Sequence, residues 1–228
     1  MKFRPIYLLL LFSTVMTSCI VYHPNLVDIP LINKKHDLRI DAGVSDVLSA
    51  NATISYGLTK KIAVQTYGSF GSGEKYFLQG ALGYYKDLGN RKIMEIYSGF
   101  GYGYGSAYKD ANPGDLYGNY QVYFAQFNLG KENGNFAHMD YGIGVKAGFL
   151  HSNLTDRNYY KFYSENGPYL NYKDNNILLE PVCFIRFGGE KLKVNFKLGG
   201  CLMYKLTNTD KKFPYSHVNF GIGLNYMF

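Results

Sequence analysis

From residue 36 to its end the chain alternates apolar and polar positions in ten stretches, near 36–46, 49–58, 61–70, 76–88, 91–107, 119–130, 136–150, 176–188, 191–206 and 215–228. A strand sends successive side chains to opposite faces, so a period of two marks a strand with one apolar face. In the second stretch Ala52, Ile54, Tyr56 and Leu58 oppose Asn51, Thr53, Ser55 and Gly57. In the ninth, Leu192, Val194, Phe196, Leu198, Leu202 and Tyr204 oppose Lys191, Lys193, Asn195, Lys197 and Lys205. The last is the most regular. Val218, Phe220, Ile222, Leu224, Tyr226 and Phe228 face one way, and His217, Asn219, Gly221, Gly223, Asn225 and Met227 the other. No stretch of comparable length carries helical spacing. Pro181 interrupts the eighth stretch, where a missing ladder donor predicts a bulge.

The second face decides what kind of sheet this is. It carries Arg39, Asp41, Glu95, Asp140, Lys146, Glu180, Arg186, Lys193 and Lys197, with the glycine rows Gly99, Gly101, Gly103 and Gly142, Gly144. A soluble barrel keeps its apolar face inward. Charges of both signs and rows of glycine instead suit a narrow, wet interior, and an apolar face with aromatics near its ends suits lipid. The pattern therefore predicts an all-β, transmembrane, antiparallel up-and-down barrel of about ten strands over residues 36–228, with eight or twelve as the neighbouring counts. Connections alternate in length. Those at 59–60, 89–90, 131–135 and 188–190 are short, and those at 71–75, 108–118, 151–175 and 207–214 are longer. Short inner turns and longer outer loops are the rule in such barrels. The 215–228 stretch is expected to close the barrel against 36–46.

Ahead of the alternation stands a different composition. Lys2 and Arg4, the apolar run Ile6 to Phe12 and small polar residues make residues 1–18 a secretory signal peptide. Cys19 follows Met16-Thr17-Ser18 directly, in an arrangement that resembles a bacterial lipobox, with Met16 at the position more often held by Leu. The resemblance implies lipidation of Cys19. Residues 20–35 carry Pro24 and Pro30 and no sustained alternation, so 19–35 is expected to be a lipidated cysteine with an extended periplasmic linker.

Taken with the hairpin Tyr56-Gly57-Leu58-Thr59-Lys60-Lys61-Ile62 and the ending Asn225-Tyr226-Met227-Phe228, the chain resembles the lipidated, porin-like outer-membrane β-barrel proteins of Bacteroidota. That resemblance implies outer-membrane lipids and the barrel assembly machinery as partners, with Tyr226 and Phe228 as the assembly signal. Surface lipoproteins of that group often have an acidic cluster after the cysteine. None follows Cys19, which implies an anchor in the periplasmic leaflet.

Charge and composition narrow function only a little. The formal charge is +7, and loss of Lys2 and Arg4 with the signal peptide leaves about +5. No basic helix or single-strand-binding motif accompanies it, so no nucleic acid is expected. Three cysteines are too few for a disulfide scaffold, and parity turns Cys183 outward and Cys201 inward. The five histidines are scattered without zinc spacing, so no metal or cofactor is expected. Outer-loop candidates for acid–base chemistry are Asp110, Asp115, His151, Asp156, Glu165, Asp174, Asp210 and His217. They show no paired-acid or His–Asp spacing, and no catalytic residue is assigned. The 151–175 loop gathers Tyr159, Tyr160, Phe162, Tyr163, Tyr169 and Tyr172. These aromatics fit a site for an extracellular ligand, a lid over the barrel mouth, or the lipid interface. The leading expectation is a non-enzymatic structural or surface-interaction barrel. A narrow pore, weakly anion-selective through its inward cations, comes second, and an outer-membrane hydrolase third.

Overall fold

The computed structural model describes residues 20–23, 26, 28–45, 49–71, 73–109, 112–133, 138–157, 170–208 and 213–228. The strands are β1 (Leu38–Ser45), β2 (Ala50–Gly57), β3 (Ile62–Gly71), β4 (Lys75–Asp87), β5 (Lys92–Lys109), β6 (Asn112–Lys131), β7 (Asp140–Asp156), β8 (Leu170–Gly188), β9 (Leu192–Gly200), β10 (Leu202–Lys205) and β11 (Val218–Met227). Each pairs antiparallel with its sequence neighbour from β1 to β9, β10 continues β9 along β8, and β11 bridges β9 and β1. Because β9 and β10 are two halves of one stave, the sheet is a closed barrel of ten. Its seam runs from Arg39↔Met227 to Ser45↔Gly221.

Pro181 makes no bulge. It sits where β9 gives way to β10, and the register along β8 is the same on both sides. The missing N–H interrupts the ladder and leaves the alignment intact. Among the described residues the register shifts between Ala107 and Lys109 on β5.

The two faces separate by chemistry as the alternation requires. Outward positions hold Leu78, Leu82, Ile96, Phe127, Ile143, Leu179, Phe196, Leu198, Ile222 and Leu224, all exposed. Inward positions hold Arg39, Asp41, Glu95, Asp140, Lys146, Glu180, Arg186, Lys193 and Lys197, all buried. Cys183 is exposed, Cys201 is buried, and both are free.

The outer face also records where the apolar band stops. Tyr123, Phe149 and Ile177 form one rung across β6, β7 and β8 and are exposed; the next outward rung is Gln121, His151 and Asn175. His151 Nδ1 lies 2.7 Å from Asn175 Oδ1 there. Beyond it come exposed Asn153 and Lys173. On β4 the band runs between the exposed Tyr76 and Tyr84. Eight residues at about 3.4 Å each give about 27 Å along the strand. At a tilt of about 40° that is about 20 Å of height, close to the ~25 Å apolar band of membrane barrels.

The wall is lopsided. β1 and β2 have 8 residues each, whereas β6 has 20 and β8 has 19. The expected loop at 108–118 is therefore largely strand, and the expected loop at 151–175 is strand at both of its ends. β5 ends at Lys109 and β6 begins at Asn112; β7 runs to Asp156 and β8 starts at Leu170. Above the membrane edge the outer face of the wall turns polar while Leu116, Tyr120 and Leu154 are buried on the inner one, so the apolar face changes sides, although the ladder continues from Gln121↔His151 to Leu116↔Asp156.

A second difference concerns residues 20–37. The expectation for 20–35 is a periplasmic linker; the described residues between 20 and 32 run through the lumen instead. Val21, Tyr22, Leu26, Asp28, Ile29, Leu31 and Ile32 are all buried. Several inward glycines exist to let this segment pass. A Cβ on Gly105 would lie 2.2 Å from the Val21 carbonyl oxygen, one on Gly221 2.4 Å from Leu26, one on Gly130 2.5 Å from Leu31, and one on Gly57 2.4 Å from the Lys34 carbonyl oxygen. The segment thus enters β1 from the short-turn end, having begun at the long-loop end.

Candidate functional site: an occupied lumen

The lumen is the one place where the predicted charges converge, and residues 20–37 hold its axis at three levels. At the long-loop end the Tyr22 hydroxyl donates to Glu180 at 2.6 Å, and Glu180 also pairs with Lys146. The Tyr22 ring meets Tyr120 edge-on at 5.3 Å and Phe213 at 6.3 Å. The Val21 and Tyr22 amides donate to the Pro214 carbonyl at 3.0 and 3.1 Å, and the Ser216 amide donates to the Tyr22 carbonyl at 3.2 Å. The plug therefore adds a short strand-like contact to the β10–β11 connection, with Tyr22 paired parallel to Tyr215.

The middle level is ionic. Asp28 accepts from Lys197 at 2.8 Å and Arg186 at 3.2 Å. Lys197 also reaches Asp41 at 2.7 Å, and Asn195 donates to Asp41 at 2.5 Å. The Asp28 carbonyl accepts from Gln65 at 3.3 Å and Gln126 at 3.0 Å, and the Ile29 carbonyl accepts from Arg186 at 2.8 Å. A buried charge is tolerated only when paired and hydrogen-bonded. Among the described residues the buried acids Asp28, Asp37, Asp41, Glu95, Asp140, Asp156, Asp174 and Glu180 face the buried cations Arg39, Lys146, Arg186, Lys193 and Lys197, and Asp28 serves two of those cations.

At the short-turn end the Ile32 amide donates to Glu95 at 2.8 Å, and Asn128 donates to the other Glu95 oxygen at 3.1 Å. Arg39 pairs with Asp37 at 2.9 Å and Glu132 at 2.5 Å. Lys193 pairs with Asp140 at 2.6 Å and donates to Asn133 at 3.1 Å. Apolar side chains fill the remaining space, with Leu26, Ile29 and Leu31 packed on Ile93, Val182 and Phe184. Above the plug a small recess of about 40 Å³ lies at the long-loop end, between Ile20, Val21 and His23 and the low rim at Ser45, Ser49 and Gly71.

Other predicted residues are not brought together. Asp174 is buried with Asn176 at 3.3 Å and Lys205 at 3.9 Å, whereas His151 is on the opposite face with Asn175. His217, expected inward, precedes β11 and is exposed, with its ring 4.6 Å from Tyr215. Among the described residues no group of three or more His, Cys, Asp or Glu could hold a metal ion. Tyr172 is half-buried on β8 against the inner cluster rather than displayed in a loop. Tyr159, Tyr160, Phe162, Tyr163 and Tyr169 lie outside the described residues, as do Asp110, Glu165, Asp210, the 1–18 signal segment and Cys19. Tyr226 is exposed and its ring lies 4.6 Å from Phe228, at the short-turn end of the seam.

No protein-family model matches the chain, and no curated protein matches it. Among solved structures it is similar to the N-terminal β-barrel domain of Pseudomonas aeruginosa OprF, with TM-score 0.35 and 15% identity over 85% of this chain and 98% of that one. It is similar to the KdgM porin, with TM-score 0.40 and 8% identity over 84% and 99%. It is also similar to the outer membrane protease OmpT from Escherichia coli, with TM-score 0.48 and 12% identity over 84% and 93%. The fold of this chain rests on its own strand order and on the chemistry of its two faces.

Proposed function

We propose that the protein is an outer-membrane lipoprotein, anchored through Cys19, whose barrel is closed by its own N-terminal segment and whose role is structural or surface-interacting rather than enzymatic. One observation carries this: described residues between Val21 and Ile32 are held inside the lumen at three levels, through Tyr22–Glu180, Asp28–Lys197 and Ile32–Glu95. Paired charges and the packing of Leu26, Ile29 and Leu31 inside the lumen weigh against free passage of a solute. The separation of His151 from Asp174 by the β7–β8 sheet weighs against acid–base chemistry at the rim. The β5–β8 wall is then the part offered to an extracellular partner, since it rises past the membrane edge with a polar outer face. Tyr226 and Phe228 serve as the signal for the assembly machinery.

A gated, anion-favouring pore is the second reading. Its support is the pair of inward cations Arg186 and Lys197, which share Asp28 of the segment and would lose that carboxylate if the segment left the lumen. Planar-bilayer recording separates the two. The intact protein is expected to give no steady unit currents, and a variant lacking residues 20–33 is expected to conduct with preference for anions. Steady currents from the intact protein would overturn the closed-barrel reading.

A further inference from the structure

We propose that the chain is threaded outward, so that the segment ahead of Ile20 leaves the barrel at the long-loop end and the mature N-terminus is presented on the cell-surface side of the membrane. Where Cys19 carries lipid, which rests on the lipoprotein reading above, the anchor then enters the outward-facing leaflet. This is the opposite side from the one implied by the missing acidic cluster.

The direction follows from contacts that cannot be satisfied the other way round. Gly57 at the end of β2 lies against the Lys34 carbonyl, Glu95 near the start of β5 holds Ile32, and Gly105 near the end of β5 lies against Val21. Glu95 to Gly105 along one strand is therefore matched by Ile32 to Val21 running in reverse. Pro214, Tyr215 and Ser216, in the connection at the long-loop end, take the Val21 and Tyr22 backbone. Short turns face the periplasm in such barrels and longer connections face outside. The chain accordingly descends the lumen from the outer mouth and turns into β1 at the inner one.

Height supports the same conclusion. Phe100 pairs with Tyr123, on the last apolar rung, and Gly105 is five residues further along β5. At about 3.4 Å per residue and a tilt of about 40°, Val21 stands about 13 Å above the edge of the apolar band. The recess beside Ile20 opens toward Ser49 and Gly71 on the low wall, where the exposed Phe70 and Tyr76 mark the membrane surface. The tall β5–β8 wall stands on the other side. A chain leaving at Ile20 thus has a short route over the low rim to the outer leaflet, and none to the periplasm that avoids the filled lumen.

The test uses the full chain in intact cells. A short epitope inserted between Cys19 and Ile20 is expected to bind antibody without permeabilisation, and the same epitope in the 58–61 turn only after it. Detection of the N-terminal epitope only after permeabilisation overturns the proposal, as does the reversed pattern. Should insertion block assembly, a second variant decides: Tyr22→Cys with Tyr215→Cys, in a Cys201→Ser background because Cys201 lies beside Tyr22. A disulfide between positions 22 and 215 in the membrane-embedded protein is expected, and its absence overturns the threading. Fatty-acid labelling lost in Cys19→Ala supports the anchor. Labelling that never depends on Cys19 removes the lipoprotein reading while leaving the epitope result standing.

Discussion

Replacing Asp28 with alanine tests whether the N-terminal segment is seated as an integral part of the barrel. The carboxylate is 5% exposed and holds Lys197 at 2.8 Å and Arg186 at 3.2 Å. Removing one partner of a buried ion pair costs about 3–5 kcal/mol, because the remaining charge keeps its desolvation penalty without its attraction. Here each cation retains something. Lys197 keeps Asp41 at 2.7 Å; Arg186 keeps the Ile29 carbonyl at 2.8 Å and the Phe184 ring at 4.4 Å. The expected loss therefore sits at the lower end, about 3 kcal/mol, or about a hundredfold in the unfolding equilibrium. Urea unfolding of the protein reconstituted in lipid, followed by loss of heat-modifiable gel migration, measures it. Combining Asp28→Ala with Lys197→Met is expected to cost less than the sum of the two, with a coupling of about 1 kcal/mol or more, since the two groups share one network. A single variant within about 0.5 kcal/mol of the wild type, with additive behaviour in the double variant, would refute the reasoning. It would mean that Asp28 is solvated and the plug unseated.

Two further outcomes follow from the faces and from the plug's fit. Leu198→Lys puts a cation on the lipid side and is expected to destabilise by about 2–4 kcal/mol in the same unfolding assay; Lys197→Leu should match it rather than be the milder change, because Lys197 bridges Asp28 and Asp41. Gly105→Ala brings a Cβ to 2.2 Å from the Val21 carbonyl oxygen. It is expected to lower the yield of the 22–215 disulfide severalfold while the barrel still migrates as folded, and an unchanged yield would place Val21 elsewhere.

What the alternation could reveal depended on which solvent each face meets. Strands bounded by lipid on one side announce themselves, so Leu192 to Leu198 and Val218 to Phe228 were legible with their inward partners Lys193, Lys197, Asn219 and Asn225. Pairing above the membrane was not. Gln121, His151, Asn153, Lys173 and Asn175 sit in continuous ladder, but water bathes the outer face there and the apolar residues Leu116, Tyr120 and Leu154 pass to the inner one, so the parity of the membrane band is broken. The plug escaped for a related reason. Residues 20–37 have no period, because a chain running along a lumen axis is surrounded on all sides and each residue meets a different neighbour. One trace of it was nonetheless in the chain: inward glycines without a strand-level reason, of which Gly105, Gly130 and Gly221 touch Val21, Leu31 and Leu26.

Threading also constrains how such a barrel can form. The Asp28, Ile29 and Ile32 positions are enclosed by groups from β3, β5, β6, β8 and β9 together, namely Gln65, Glu95, Gln126, Arg186 and Lys197. A closed ten-stranded wall with such side chains has little bore through which a preceding segment could later be pulled. The N-terminal segment must therefore lie among its partners while the sheet is still open, and the last ladder to form must be one whose closure does not cross it. The β1–β11 seam meets that condition. Its strands come from the two ends of the barrel sequence, and they pair from Arg39↔Met227 upward. The plug lies directly ahead of β1 in sequence. Its Asp28 meets the β11-side network through Lys197, Asp41 and Asn225. Docking of the plug thus brings the two edges of the open sheet to a common set of charges. The same ionic layer that fills the lumen then also helps to set the register of its closure.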